Sequence, residues 1–228
     1  MMKIGIICAV ELELAPFLEI LESPKQSIKS MLTVYEGLIN GVEIAALFCG
    51  VGKTNATIAT QVLIDTYGVT HMINAGTAGG MDANLQIFDT VISTEAVCHD
   101  VAEGVLTGVS SWIPSVYFKA DEKLVTLAKK AATKLKQKIH LGRMVTGDSF
   151  IEDNGRDEIN LAFSPLSVDM ETASIAHTCY VNHVPYIAVR TITDTAESKG
   201  HNAFFENLSK ASKISCKLTV EILTAIKA

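Results

Sequence analysis

Residues 3–13 read KIGIICAVELE, an apolar run that ends in two glutamates. A short continuous apolar run is typical of a strand that is buried on both faces. The same arrangement recurs at residues 71–75, followed by the glycine-rich residues 76–80, and at residues 186–192, followed by Thr193-Asp194. Buried strands that each lead into polar or glycine-rich residues predict a largely parallel sheet whose carboxyl edge binds a ligand.

Helical patterns alternate with these strands, which predicts an α/β fold. Asn40-Gly41 between two apolar stretches is a strong hairpin signal, so the sheet should be mixed. Gly68 is expected to end a helix over residues 53–67, and Asp121 to cap a helix over residues 121–135. Helices are predicted at residues 53–67, 121–135, 171–180 and 204–226, and further strands at 32–38, 42–48, 90–97, 141–146 and 167–169. No linker or repeat interrupts the pattern, and we expect a single domain over residues 1–228.

Composition excludes several classes of protein. The 228 residues carry a net charge of −6 with no basic stripe and only three arginines, so nucleic acid is not an expected partner. The five cysteines are scattered and odd in number, which argues against disulfides and zinc and favours a reducing compartment. The histidines lack metal-ligand spacing, and we expect neither metal nor cofactor. With no secretory signal and no apolar run of about 18 residues, we expect a cytoplasmic protein without a membrane partner.

Two glycine-rich segments are open to more than one interpretation. Residues 50–54 (GVGKT) resemble part of a phosphate-binding loop, but that motif needs a glycine where this chain has Leu47. A tight turn before the next helix is the better prediction. Residues 76–80 (GTAGG) predict either a plain tight turn or a backbone that approaches a ligand closely, with the Thr77 hydroxyl available.

Acidic residues at predicted strand ends carry the functional signal. Glu11 and Glu13 follow the first strand, Glu171 stands at a strand-to-helix junction, and Asp194 ends the last strand. Each alone is more often a helix cap or a surface acid. Together they could supply a base, a hydroxyl ligand and an acid around one substrate. Phe150, after another strand, is either core packing, which the sequence alone favours, or a ring on which a base stacks.

These segments, taken in order, resemble the 5′-methylthioadenosine/S-adenosylhomocysteine nucleosidases of the purine nucleoside phosphorylase superfamily. The resemblance spans almost the whole chain and implies a homodimer with a mixed sheet partly closed into a barrel and flanked by helices. The stretches that carry it are KIGIICAVELEL (3–14), CGVGKTNA (49–56), INAGTAGG (73–80), His99-Asp100, FKAD (118–121), TGDSFI (146–151), VDMETASIAH (168–177) and VPYIAVRTITDTA (184–196).

The resemblance also implies roles for individual residues around a nucleoside. Glu13 matches the residue that activates water, Thr77 the hydroxyl residue near that water, and Arg190 the arginine that holds the water and the acids. Met170 and Glu171 match the ribose-binding pair. Gly79, in the glycine-rich stretch, is expected to bind the substrate. The remaining matches concern the purine: Phe150 as the stacked ring, Ile151 as the backbone that reads the base edge, and Asp194 as the acid at nitrogen N7. This chemistry requires one carboxylate to be ionised and another to keep its proton.

Hydrolysis is favoured over phosphorolysis, because phosphate recognition favours arginine and none precedes Arg143. A phosphorylase and a binding protein that senses adenine compounds without turnover remain as alternatives. The segment at residues 101–111 lacks the aromatic residues usual in the family, although Trp112, Pro114 and Tyr117 could compensate. The 5′-substituent therefore stays open among methylthio, homocysteinyl, aminodeoxyfutalosine-like and plain hydroxyl groups.

Overall fold

The computed structural model describes residues 2–152, 155–198 and 200–227. In chain order the strands are β1 (Lys3–Cys8), β2 (Glu22–Lys29), β3 (Leu32–Ile39), β4 (Val42–Phe48), β5 (His71–Gly80), β6 (Thr90–Cys98), β7 (Phe118–Lys119), β8 (Ile139–Thr146), β9 (Ser167–Asp169) and β10 (Tyr186–Asp194). The helices are α1 (Glu11–Leu18), α2 (Lys53–Tyr67), α3 (Glu103–Val109), α4 (Glu122–Leu135), α5 (Arg156–Phe163), α6 (Thr172–Val181) and α7 (Gly200–Lys227).

Five of the strands close into a ring. The order is β10–β6–β8–β9–β5, and β5 pairs back with β10. Within the ring, β5 and β10 run parallel while β6 and β10 run antiparallel. From β5 the sheet continues outward through β1, β4, β3 and β2. The expected mixed sheet, partly closed into a barrel and flanked by helices, is confirmed.

The core forms because the ring strands are apolar along their length. All nine residues of β10 are buried, as are Ile4, Ile6 and Ile7 of β1. One apolar cluster joins β1 to α4 and α7, and another joins β5 to α2 and α6. Each large aliphatic side chain buried in this way contributes about 1.5–3 kcal/mol of transfer free energy. The continuous apolar runs are therefore what placed these strands correctly from sequence.

Local signals predicted several boundaries correctly. Asn40 and Gly41, with φ of 52° and 73°, make the two-residue turn between the antiparallel strands β3 and β4. Gly68 ends α2 in the left-handed conformation at φ 66°. The Asp121 carboxylate accepts a hydrogen bond from the Leu124 amide at 2.9 Å and caps α4.

Of the two interpretations of residues 76–80, the tight turn is wrong. Strand β5 runs through Gly80, pairing with β10 as far as Gly79 and with β9 at Gly79 and Gly80. Glycine has a low intrinsic preference for strands, but partner strands on both sides override it. The sequence also gave no clear signal for α1, β2, α3, β7 and α5, which are short or exposed elements.

None of the helices in the described part of the chain combines the length and the apolar character needed to pass through a bilayer.

Candidate active site

A cavity of about 580 Å³ opens where the ring strands end. This volume is typical of small-molecule sites, which span roughly 300–1,000 Å³. Eight of the nine residues predicted for the site line it, namely Glu13, Thr77, Gly79, Phe150, Ile151, Met170, Glu171 and Asp194. Arg190, the ninth, lies fully buried beneath the acids and does not line the cavity.

Glu13 is a buried carboxylate held by four donors. Its Oε1 accepts hydrogen bonds from the amide and the hydroxyl of Thr77, both at 2.7 Å. Its Oε2 accepts from the amides of Ala9 at 2.8 Å and Val10 at 3.3 Å. An ionised carboxylate accepts without donating, so this environment suits the charged form. The turn from β1 into α1 thus fixes an anionic group on the cavity wall.

Gly76 makes room for this arrangement. A Cβ atom at this position would lie 2.5 Å from Oε1 of Glu13 and 2.7 Å from Nη1 of Arg190. Both distances are shorter than any normal contact, so a larger residue would displace the acid or the guanidinium. The physical reason for this glycine is the close approach of two side chains.

Arg190 on β10 binds two of the buried acids and lies close to a third. Its Nε donates to Oδ2 of Asp169 at 3.1 Å, and its Nη2 donates to Oε2 of Glu171 at 3.2 Å. Its Nη1 lies 3.9 Å from Oε1 of Glu13 and has no hydrogen-bond partner within the described residues. Burial acts to lower the pKa of Arg190, but Asp169, Glu13 and Glu171 together raise it above its ordinary value. The guanidinium is therefore a permanent cation.

Glu171 stands at the N-terminus of α6 and faces the cavity. Besides Arg190, its carboxylate accepts a hydrogen bond from the Gly52 amide at 3.0 Å. Burial raises the pKa of Glu171 to about 7; Arg190 opposes this rise, and Asp169 adds to it. The GVGKT segment (residues 50–54), which resembles part of a phosphate-binding loop, therefore makes the predicted turn before α2. Its Gly52 amide also binds Glu171, one of the residues predicted for the site.

Asp194 ends β10 with its side chain almost fully buried. Its Oδ1 accepts a hydrogen bond from the Thr193 hydroxyl at 2.9 Å. On the other side, its Oδ2 would be 3.0 Å from a Cβ placed on Gly79. The absence of a side chain at Gly79 lets this carboxyl group pack directly against β5.

Aromatic and aliphatic side chains form the rest of the wall. Phe150 lies edge-on to Phe204 of α7, with ring centroids 6.2 Å apart. Ile151, Met170 and Leu208 are among the other apolar residues of the lining. Such a surface, with a few fixed polar groups, suits a flat organic ligand that carries polar edges.

Asp169 was not identified from the sequence, although it contacts several residues of the site. Asp169 accepts hydrogen bonds from Thr146 at 2.7 Å and from the amides of Glu171 and Thr172, in addition to Arg190. It therefore orients both the arginine and the start of α6. Its only sequence signal was its place at a strand end, next to the predicted Met170-Glu171 pair. By contrast Trp112, considered as a replacement for missing aromatic residues, is largely exposed and does not line the cavity.

Acids dominate the charges of the lining. Among its described residues are five carboxylates and no lysine or arginine; the acids are Glu11, Glu13, Asp169, Glu171 and Asp194. No three His, Cys, Asp or Glu side chains in the described ranges are grouped as around a metal ion. The cavity can therefore provide acid–base chemistry and can stabilise positive charge in a bound molecule.

A cavity of this size, with buried acids of different environments and an aromatic wall, defines an enzyme that acts on a small organic molecule. The sequence model of the phosphorylase superfamily matches residues 3–224. The chain belongs to that superfamily. Its 35–36% identity, over 97–99% of its length, to relatives named 5′-methylthioadenosine/S-adenosylhomocysteine nucleosidase shows that it belongs to that family within the superfamily.

Relatives and solved structures agree with this assignment. The chain is 36% identical to the 5′-methylthioadenosine/S-adenosylhomocysteine nucleosidase of Actinobacillus succinogenes, over 99% of this chain and 100% of the relative. The same-named enzyme from Neisseria meningitidis, solved with methylthio-immucillin-A, superposes with a TM-score of 0.91 at 30% identity, covering 99% and 100% of the two chains. The futalosine hydrolase of Helicobacter pylori superposes with a TM-score of 0.89 at 26% identity, covering 98% and 97%.

Proposed function

We propose that this enzyme hydrolyses the N-glycosidic bond of 5′-methylthioadenosine and S-adenosylhomocysteine, releasing adenine and a 5-thio-substituted ribose. The names of its relatives support the substrate class. The observation that carries hydrolysis is the anionic Glu13 on a described lining that has acids and no lysine or arginine. Phosphate would be repelled there, whereas water is not.

In this proposal, Glu13 draws a proton from the attacking water. Its Oε1 lies next to the Thr77 hydroxyl and 3.9 Å from Nη1 of Arg190. The Arg190 guanidinium can donate a hydrogen bond to a water molecule beside these groups, and the Glu13 carboxylate can accept one from it. This supports their proposed roles in holding the water. Holding the nucleophile in place removes part of the entropic barrier to attack.

Glu171 and Met170 hold the ribose. Cleavage of an N-ribosidic bond passes through a cation-like sugar, and an ionised Glu171 stabilises that charge while it accepts hydrogen bonds from ribose hydroxyls. Arg190 and Gly52 keep the carboxylate in one orientation. The Met170 side chain on the lining packs against the apolar face of the sugar.

Asp194 assists departure of the purine by donating a proton to N7. Its almost complete burial favours a carboxyl group that keeps its proton, as a general acid must. Phe150 stacks on the base, the backbone of Ile151 reads its edge, and Gly79 allows Asp194 to approach. The proposed roles require Glu13 to be ionised and Asp194 to keep its proton, and two carboxyl groups in different surroundings can meet that requirement.

The decisive experiment is chromatographic detection of adenine and sugar released from methylthioadenosine, with and without phosphate. We expect adenine and free methylthioribose in phosphate-free buffer. Turnover that requires phosphate and yields a sugar phosphate would make the enzyme a phosphorylase. Tight binding of the nucleoside with no turnover would support the sensor alternative.

A second candidate function is hydrolysis of an adenine nucleoside with another 5′-group, such as aminodeoxyfutalosine. It is favoured by the likeness to a futalosine hydrolase and by the departures from the family in residues 101–111. Competition between methylthioadenosine and aminodeoxyfutalosine in one reaction, read as the ratio of the two kcat/KM values, distinguishes the two candidates.

The enzyme acts, in our proposal, as a homodimer of a single-domain chain in the cytoplasm. Support for the dimer comes from large apolar side chains that are exposed along α2, α3 and α6, and just after α3: Ile58, Val105, Val109, Trp112, Tyr180 and Val181. We call this the α2/α3/α6 face. Large apolar side chains that are exposed on one subunit often mark a subunit contact. The five free cysteines support a reducing compartment.

A further inference from the structure

The loop between β8 and α5 carries Phe150 and Ile151, two residues of the cavity wall. At its start, the Asp148 amide donates to Oδ2 of Asp100 at 3.1 Å, and Oδ1 of Asp148 accepts from the Lys53 amide at 2.9 Å. These contacts fix the side of the loop that precedes Phe150. The side that follows Ile151 needs a separate anchor.

Arg156, the first residue of α5, supplies that anchor. Its Nε donates to the carbonyl oxygen of Glu152 at 3.0 Å, and its Nη1 donates to the carbonyl oxygen of Gly80 at 2.6 Å. The residue is only 6% exposed. A planar guanidinium can bind two carbonyl groups at once in fixed directions, which a lysine cannot do.

The two carbonyl groups belong to segments that meet at the same end of the cavity. Glu152 follows Ile151, and Gly80 follows Gly79, against which the Asp194 carboxyl group packs. The guanidinium therefore spans the distance between the wall at Ile151 and the strand that positions Asp194. A small displacement of either segment would alter the gap in which a flat base must fit.

The stability of α5 does not explain this residue. A cation at a helix N-terminus is disfavoured by the helix dipole, and removing an arginine side chain from water is costly. The described hydrogen-bond partners lie outside α5: the two carbonyl groups and the sulfur of Met81. The arginine therefore serves the segments that it joins.

We propose that Arg156 is a positioning residue for the purine end of the cavity, fixing Phe150 and Ile151 relative to Asp194. The inference rests on the proposed function for the identity of the base. It adds a residue that touches no substrate atom to those that determine substrate affinity.

The test compares R156M with R143M as a matched control. Arg143 also donates to a carbonyl group, that of Phe163, and pairs with Glu95, but it does not line the cavity. For R156M we expect KM for methylthioadenosine and the inhibition constant of adenine to rise about tenfold, the effect of losing buried hydrogen bonds. We expect kcat to fall less, the pH profile to keep its shape, and amide hydrogen exchange to accelerate in residues 147–152. R156K, which retains the charge and can reach one carbonyl group, should fall in between and serves if R156M does not fold.

Wild-type KM and adenine inhibition in R156M would overturn the proposal. The same rise in KM in R143M at an equal loss of Tm would also overturn it, because general destabilisation would then be the cause. If wild-type enzyme releases adenine from no nucleoside, the proposed function has failed, and hydrogen exchange decides on Arg156 alone. Acceleration confined to residues 147–152 in R156M would support the anchor, and unchanged exchange there would refute it.

Discussion

At the scale of single residues, the acids differ in what surrounds them. Glu13 accepts four hydrogen bonds, whereas Asp194 is buried beside Thr193 and against Gly79. Glu171 shares its carboxylate between Arg190 and an amide. One base, one ribose ligand and one acid can therefore arise from three chemically similar side chains.

Replacing Asp194 with Asn removes the proposed proton donor and keeps the shape of the side chain. We expect kcat to fall by about 10²–10⁴-fold, the usual contribution of a general acid, with an unchanged circular dichroism spectrum. Asp65→Asn on the exposed side of α2 is the matched control and should retain wild-type activity. A D194N enzyme with most of its activity would exclude Asp194 from proton transfer.

Glu171 predicts a pH dependence. Burial raises its pKa to about 7. In the proposed mechanism the ionised form of Glu171 stabilises a cationic sugar. The charged fraction grows as the pH rises, so log(kcat/KM) for adenine release should increase up to about pH 7 and then level off. In E171Q this increase of log(kcat/KM) below pH 7 should disappear, and the activity should be much lower. If the increase persists in E171Q, it belongs to the titration of another group.

At the scale of elements, β5 matters because it crosses the site as a regular strand. Its pairing with β10 places Gly76 opposite Arg190 and Gly79 opposite Asp194. Its own Thr77 donates twice to Glu13. One strand thus sets the spacing of Glu13, Arg190 and Asp194.

Gly76→Ala tests this spacing. The new methyl group would overlap Glu13 and Arg190, so we expect a loss of about 1–3 kcal/mol in unfolding free energy, typical of overpacking, together with loss of nearly all activity. Gly104→Ala in α3 is the control, because a Cβ there meets nothing within 4 Å. Adenine release and urea denaturation measure the two effects. A fully active G76A enzyme would show that Glu13 does not need its observed position.

The elements that sequence predicted best were those with strong local signals. The apolar runs of β1 and β10 and the Asn40-Gly41 turn are readable without tertiary information. Strand β2 has almost only exposed side chains and gives no period, and the glycines of β5 resemble a turn until their partner strands are known. Fold class and family are confirmed, whereas the roles of the site residues stay predictions.

Contacts between residues that are far apart in the sequence were not predictable in this way. The Gly52 amide meets Glu171 across 119 positions of sequence, and Arg156 meets Gly80 across 76. Nothing local marks such pairs, because closure of the barrel brings them together. Glu13, Glu171 and Asp194 were identified because their strand ends, and the family's motifs, mark the same edge of the sheet.

At the scale of the whole molecule, the α2/α3/α6 face predicts self-association. Wild-type protein should have twice the chain mass of 24.5 kDa by light scattering, and Trp112→Asp should lower the mass towards that of one chain. A charge at a buried subunit contact is unfavourable. Leu161→Asp on α5 is the control, because Leu161 is 89% exposed and lies on another helix. A monomeric wild type would refute the dimer.

Ligand binding should also raise the stability of the whole fold, because the cavity is lined by segments that range from Ala9 to Leu208. A ligand at 100 times its Kd adds about 2.7 kcal/mol to the unfolding free energy. For a domain of this size that corresponds to a rise in Tm of about 5–10 °C. Adenine should produce such a shift in scanning fluorimetry, and a smaller one in D194N, which lacks the proton donor.

Phosphate provides the opposite expectation in the same experiment. The described lining holds five acidic side chains and no lysine or arginine, so we expect phosphate to stabilise the protein no more than sulfate at equal ionic strength. Both anions strengthen apolar burial through exclusion from the surface, and their comparison removes that general effect. A shift specific to phosphate, greater in the presence of the nucleoside, would reveal an anion site and favour phosphorolysis. Equal shifts for the two anions, with a large shift for adenine, would leave water as the nucleophile that this cavity is built to accept.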